Sequence, residues 1–407
     1  MSKSLSALHD RLPRLTNPIL DSLKKTNYTP PQDATVSVKS ILCTLLDIET
    51  APDEQKLKNV TLALGLLISS RTSTHESLTW IPEHISVTSE SVFHAIANEY
   101  GCFVELLPEV VPLLKERIKE SSIDIDNESD QVTAASARVP VVLAILAAYQ
   151  FRWLVTQVEH PDLGKFCNLV IPCALTTLDH WSPEVKAQGM IVFIHLAKNV
   201  NVVDLSLYED VILDACCQNI ASADEIWHLV VEMSVLLVTS TQRSNCRSSW
   251  FERILNEMLS HLERQPRNKD RYVAWLKYIE PLFSALGLVL LAHFSRIFPL
   301  FFKWMHADDD ETVSLVLKRL QTLIKLTWIR NTPYVDRLVD ELTKLYKEAA
   351  TRRAREEIRT DILQMLILLQ QCKGPQFQTA WNRYKDDPNL STLGSSISEN
   401  CLSVIKF

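Results

Sequence analysis

Two short runs in this 407-residue chain carry the residue types of metal sites. In Glu225-Ile-Trp-His228 a carboxylate and an imidazole stand three positions apart, on one face of any helix containing them, as in the Glu-x-x-His element of di-iron bundles. Glu232 follows one turn later on the same side. Di-iron chemistry needs a second Glu-x-x-His and two further glutamates from separate helices, and the sequence holds no second copy. The trio therefore reads as a hydrogen-bonded surface group. Asp124-Ile-Asp126-Asn-Glu128-Ser-Asp130 has the alternating carboxylates of a calcium loop. It lacks the turn glycine, and Ala135 stands where a bidentate Glu is required. It reads as an acidic surface loop, with Ser121 and Ser129 as candidates for an acid-directed kinase.

Nucleophile and phosphate motifs are missing for a compositional reason. There are seven glycines, and no two lie within ten residues of each other. That spacing rules out G-x-G-x-x-G, the Walker A loop and the G-x-S-x-G elbow. It also disfavours the tight turns of β-rich folds. Nine cysteines occur without any C-x-x-C, mostly in apolar surroundings, so they read as buried small hydrophobes of a reducing compartment. Neither H-E-x-x-H nor a Cys/His cluster is present. No catalytic, cofactor-binding or metal-binding residue is expected, no cofactor is implied, and the chain reads as a non-enzyme.

The elements that would position any site are helices almost throughout. Leu169–Asp179, with Pro172 inside it, reads as a helix; Ser182-Pro183 then caps a second apolar helix to Leu196. Ile297–Met305, with Pro299 inside it, is followed by Asp308 and Glu311 at capping-box spacing. The stripe Val313, Val316, Leu317, Leu320, Leu323, Ile324 comes next. Pro172 and Pro299 lie 127 residues apart, about three repeats of ~42 residues, the range of HEAT and armadillo units. The fold class expected is all-α, a solenoid of roughly eight HEAT/ARM-like helical hairpins. The domain expectation is an N-terminal helical region over 1–133, with a linker at 27–34 and an acidic loop at 119–133. A solenoid over 134–384 and a flexible tail over 385–407 complete it.

Met1–Leu12 has no apolar core and does not read as a signal peptide. The apolar stretch Pro281–Phe302 is interrupted by Ser284, His293, Ser295 and Arg296, and reads as buried helix, not as a membrane span. Charge is uneven. Residues 47–132 hold sixteen acidic and six basic residues, net −10, whereas 243–303 hold ten basic and five acidic, net +5. Such asymmetry suits a solvated face or a charge-selected protein partner. With an overall net charge of −7, nucleic-acid binding is not expected. Arg352-Arg353-Ala-Arg355 reads as the cap of an inter-helix turn.

Several stretches carry a resemblance. The first is Val170-Ile-Pro172 with Leu175 and Asp179, followed by Lys186, Gly189, His195 and Asn199-Val200. The second runs Ile254-Leu255, His261-Leu262, Arg271-Tyr272, Leu286-Gly287, His293-Phe294 and Arg296. It closes on Glu311, Leu317, Leu320, Leu323 and the Thr327-Trp328-Ile-Arg330 turn. In order and spacing, the segment from Asn168 to about Cys372 resembles the Tel-two-interacting protein two family, a subunit of the Triple T co-chaperone complex. Residues 1–160 carry no match beyond helical character.

The resemblance implies a non-enzymatic scaffold that binds the large HEAT-repeat subunit and the Tel-two subunit of that complex. It further implies support for the maturation and stability of phosphatidylinositol-3-kinase-related kinases, coupled to the ninety-kilodalton heat-shock chaperone. TOR signalling and the DNA-damage response, in cytoplasm and nucleus, would depend on that work. No nucleic acid and no membrane is involved. Trp and Arg are enriched at interface hot spots, so the candidate partner interface is Trp328, Arg330, Arg271, Tyr272, His293 and Arg296. The alternative for these residues is that Trp328 plugs the seam between repeats, Arg330 caps carbonyls, the others pack likewise and His293 is a core histidine. Another HEAT/ARM adaptor, a transport or phosphatase scaffold, is the alternative that the same residues allow.

Overall fold

The structure, a computed structural model, describes residues 3–30, 36–49, 51–100, 104–121, 140–245, 247–330 and 333–404. Among them every regular element is helical. The chain forms two compact units, Met1–Ala215 and Cys216–Phe407.

The first unit contains α1 (Lys3–Lys25), α2 (Val38–Leu46), α3 (Asp53–Ser69), the short α4 (Glu76–Thr79), α5 (Glu83–Tyr100) and α6 (Leu107–Glu120). It continues with α7 (Val141–Thr156), α8 (Cys167–Leu178), α9 (Pro183–Asn199), the short α10 (Val202–Ser206) and the first part of α11 (Glu209–Asn219). Neighbours in sequence pair as hairpins, α6 with α7 and α8 with α9. Helices two apart stack, α6 on α8 and α7 on α9. A helix alone cannot bury a whole apolar face, and this double pairing supplies a continuous core. α7 is apolar all round, and from Ala144 to Val155 it is buried at every position but Arg152. Gln150 Nε2 donates to the Leu62 carbonyl at 3.0 Å, and Trp153 packs against Gly65 so closely that a Cβ there would lie 2.8 Å from the indole.

These contacts correct the expected boundary at 133. α6 and α7, on either side of it, are hairpin partners in one unit, because Val110, Val111, Leu114 and Ile118 of α6 need a cover that α7 provides. Of the expected linker, 27–30 has no regular structure and 31–34 lies outside the described residues. Of the acidic loop, 122–133 also lies outside them, as does Ser129.

The second unit contains α12 (Trp227–Thr241), α13 (Ser249–Arg264), α14 (Lys269–Tyr278), α15 (Glu280–Leu286), α16 (Phe294–Trp304) and α17 (Asp310–Thr327). It ends with α18 (Tyr334–Glu348), α19 (Arg355–Trp381), bent at Lys373, and α20 (Ser391–Val404). α18 pairs with α19, α17 stacks on α19 and α12 on α14. Its centre is aromatic: the Trp275 ring lies 5.7 Å from Phe283, 6.1 Å from Phe301 and 6.0 Å from Trp304. Val313, Val316, Leu317, Leu320, Leu323 and Ile324 are all buried, as the stripe requires. The tail expected to be flexible is instead helical to Val404. Leu390, Leu393 and Ile397, spaced for one helix face, are buried, and α20 packs on α19.

Local capping follows the sequence with small shifts. Pro172 and Pro299 each occupy the sixth position of their helix, α8 and α16. Ser182 is the N-cap of α9, but its hydroxyl turns to Glu184 (2.7 Å) instead of the backbone. The cap of α17 is Asp309, one residue beyond the expected Asp308; its carboxylate accepts from the Thr312 N–H at 2.9 Å. Residues 280–304 are long and apolar enough to cross a membrane by length and composition. They do not form one helix. Gly287, at φ 52°, ends α15 and starts a 3₁₀ stretch. Leu282, Phe283, Leu290, Phe294, Ile297 and Phe301 go into the core.

Candidate functional site

Five of the six candidate interface residues are spread along α14, the 3₁₀ stretch, α16 and the end of α17, and the structure sorts them by depth. Arg271 begins α14 and is only 5% exposed. Its Nε donates to Asp224 Oδ1 at 2.5 Å and its Nη2 to the Ser222 carbonyl at 3.0 Å. Nη1 faces His261 Nδ1 at 3.3 Å, and the guanidinium lies 5.3 Å from the Trp227 ring centre. The hydrogen bond from Arg271 holds the Asp224 carboxyl below its usual range. Burial, then the nearby Arg271 charge, lowers the pKa of His261. Arg271 thus ties α14 to α13 and to the turn before α12.

Tyr272 is buried against Trp304, ring centres 5.2 Å apart, and the Trp304 N–H donates to the Pro266 carbonyl at 3.0 Å. His293 is buried, and its Nε2 has no hydrogen-bond partner; burial lowers its pKa. Arg296, half-buried on α16, grips Glu263 of α13 with two parallel bonds of 2.8 and 2.7 Å, and also donates to Asn256 Oδ1 (2.8 Å) and Ser260 Oγ (3.0 Å). Such bidentate pairing is a geometry for holding two helices in register. These four residues are spent inside the unit.

Trp328 and Arg330 are placed differently. α17 ends at Trp328 in the left-handed conformation, φ 52° and ψ 25°, with its N–H on the Ile324 carbonyl at 2.8 Å. Ile329 also has positive φ, 40°. Left-handed backbone costs a non-glycine residue about 1–2 kcal/mol, and a β-branched one is a true outlier. Ile329 is fully buried and its N–H meets the Thr327 hydroxyl, which pins the turn. The outcome is that Trp328 is 62% exposed, beside an exposed Arg330.

The other sequence signals resolve into structure. Glu225 and His228 are exposed and Glu232 half-buried. Among the described residues no group of three or more His, Cys, Asp or Glu is placed to hold a metal ion. Ser121 is fully buried, its hydroxyl donating to the Ile118 carbonyl and lying 3.4 Å from His180 Nε2, so a kinase could not reach it in the folded unit. Arg352 caps the α16–α17 loop, donating to the Ala307 carbonyl (2.7 Å) and to Asp310 (3.2 Å). Asp310 is held below its usual range, first by the Ala354 N–H. Burial pushes the thiols of Cys167 up to about 11 and Cys216 to about 12, and that of Cys173 higher still, the opposite of what a nucleophile needs.

Residues of the resembling stretches also have plain structural roles. The His195 Nε2–H donates to the Val158 carbonyl at 2.8 Å, and Lys186 donates to the Leu178 carbonyl at the end of α8. Gly189 faces Thr177 where α8 and α9 touch; an added Cβ would lie 2.1 Å from its hydroxyl oxygen. One exposed apolar feature lies outside all the residues singled out from the sequence: Val203 (76% exposed), Leu207 (82%) and Val211 (57%), along α10 and α11.

Hairpins that pair with sequence neighbours and stack on helices two apart define the class of HEAT-type α-solenoids. Two solved structures share the fold. A chain of the structure describing Kap95p binding to RanGDP has a TM-score of 0.52 at 10% identity, over 94% of this chain and 46% of that one. Kap121p has a TM-score of 0.51 at 15% identity, over 96% of this chain and 40% of that one. The chain therefore spans less than half the length of these karyopherins. No protein-family model matches the sequence. The Arabidopsis thaliana protein described as "Uncharacterized protein At2g39910" is 55% identical over 421 residues, covering 98% of this chain and 96% of that protein. The chain belongs to the family of that protein.

Proposed function

We propose that the chain is a non-enzymatic protein-binding scaffold and, within that class, a subunit of a Triple T-like co-chaperone complex. In this reading it binds the large HEAT-repeat subunit together with the Tel-two subunit. It thereby supports the maturation of phosphatidylinositol-3-kinase-related kinases alongside the ninety-kilodalton heat-shock chaperone, in cytoplasm and nucleus. The observation that carries the proposal is the Trp328 turn. A large aromatic is held in solvent by a strained backbone at the Thr-Trp-x-Arg element, one of the two, with His-Phe-x-Arg, on which the resemblance chiefly rests. Backbone strain kept at an exposed aromatic is a mark of function, because a packing role would bury the ring.

A transport-type adaptor is the second reading, supported by the likeness in fold to Kap95p, which engages RanGDP, and to Kap121p. Partner identity separates the two. Tagged protein would be purified from its native cells and the co-purifying chains identified by mass spectrometry. Near-stoichiometric recovery of the large HEAT-repeat and Tel-two subunits, lost in a Trp328→Ala, Arg330→Glu variant, is the expected result. Recovery of a transport GTPase or a phosphatase in their place would overturn the co-chaperone reading and leave the scaffold reading standing.

A further inference from the structure

The segment α10–α11 is apolar on two faces. One face is ordinary core: Leu205, Ile212, Leu213 and Cys216 are buried. The other carries Val203, Leu207 and Val211 at intervals of four residues, with Val202 (40% exposed) beside them. Val203 lies on α10, Leu207 in the turn that joins the two helices and Val211 on α11, so the exposed side chains follow one another through the turn. A surface helix has no structural need for a second apolar strip, since polar residues there would keep the same core. Isolated exposed aliphatics are ordinary, but an aligned row marks a contact surface.

Within the segment itself the charge is of one sign. Residues 199–215 contain Asp204, Glu209, Asp210 and Asp214 and no Lys or Arg. Asp210 is exposed, and Asp204, Glu209 and Asp214 are half-buried. Apolar side chains rimmed by carboxylates fit a partner of inverse pattern. A helix laid along the strip would present its own apolar residues at three- and four-residue spacing and Lys or Arg on the flanks. We infer that α10–α11 is a docking site for a basic amphipathic helix of a partner protein. The inference does not depend on the co-chaperone reading. Three or four aliphatic side chains are less than a standard interface, so the contact is a weak, exchangeable one.

The test places the photoreactive residue benzoyl-phenylalanine at position 207 of the full chain in its native cells, and maps the crosslinked peptides. Lys325, exposed on α17, serves as the control position. The expected adducts converge on one segment of one partner, with apolar residues at helical spacing and Lys or Arg around them. A synthetic peptide of that segment then binds the purified chain with micromolar affinity. Its binding weakens at least tenfold in Leu207→Asp, weakens with added salt, and disappears when the peptide's Lys and Arg become Glu. Leu207 and Val203 are so exposed that Leu207→Asp and Val203→Asp should both melt like the parent, which separates lost binding from lost folding. The inference is overturned by adducts to a second copy of this chain, to lipid or to an acidic segment. It is equally overturned by labelling no greater than at position 325, or by peptide binding that both Asp variants leave unchanged.

Discussion

The seam of Arg271, Tyr272, His293 and Arg296 and the turn of Trp328 and Arg330 are alike in composition and opposite in placement. Each combines an aromatic ring with arginine, the residues most often found at protein interfaces. In the seam every guanidinium has carboxylate and carbonyl partners within the unit, and the tyrosine ring lies on Trp304. At the turn the backbone is forced into the left-handed region, the small side of the bend is buried as Ile329, and the large ring stays in solvent. Residue type does not distinguish an internal stitch from an external anchor. The distinction rests on whether a second helix supplies partners.

The contrast can be broken or sharpened by substitution. Trp304→Ala should show the largest effect, a loss of about 3–5 kcal/mol of stability in denaturant unfolding, because a fully packed indole leaves a cavity. Arg271→Met should cost about 2 kcal/mol: the Ser222 carbonyl loses its charged donor, while Asp224, largely exposed, is rehydrated. If Arg271→Met instead leaves stability intact and removes a partner, the seam and the turn are not different in kind.

His293 gives a pH-dependent comparison. Its folded pKa is depressed by burial, so on acidification through about 6.5 the unfolded chain takes up a proton that the folded chain does not. Stability therefore falls as pH drops from about 6.5 towards the depressed value. His293→Leu should flatten that part of the curve, measured by melting between pH 7.5 and 5, and should cost little at pH 7.5 because it removes a polar atom without a partner. His180 and His261, also depressed chiefly by burial, keep the remaining slope.

The smallest stability effect belongs to the turn. Trp328→Ala should move stability by no more than about 0.5 kcal/mol, and Trp328→Gly should raise it by up to about 1 kcal/mol by relieving the left-handed strain. Both should abolish the partner contact proposed for the turn. A destabilisation of several kcal/mol in Trp328→Ala would show that the ring is a packing element after all.

Much of the fold was legible in the sequence. The stripe on α17, the proline-bearing first helices and the scarcity of glycine all point to helical hairpins, since helix periodicity is a local property of the chain. Other features were not. The Ser-rich composition of the tail points to a loose end, whereas the spacing of Leu390, Leu393 and Ile397 docks α20. Val203, Leu207 and Val211 carry no sequence signal of exposure, because apolar residues in a helical segment ordinarily face the core. Here Leu205, Ile212 and Leu213 already fill that role.

By itself, then, the sequence determined the kind of element and the repeat, because hydrogen bonding within a helix and the spacing of its apolar residues involve only near neighbours. Tertiary structure decided which helices pair across residue 133, which arginines find carboxylates and which tryptophan remains outside. Those outcomes depend on residues tens of positions away arriving at the same place: Asp224 beside Arg271, Glu263 beside Arg296, Pro266 beside Trp304. Helical spacing within a single element carries no record of such meetings.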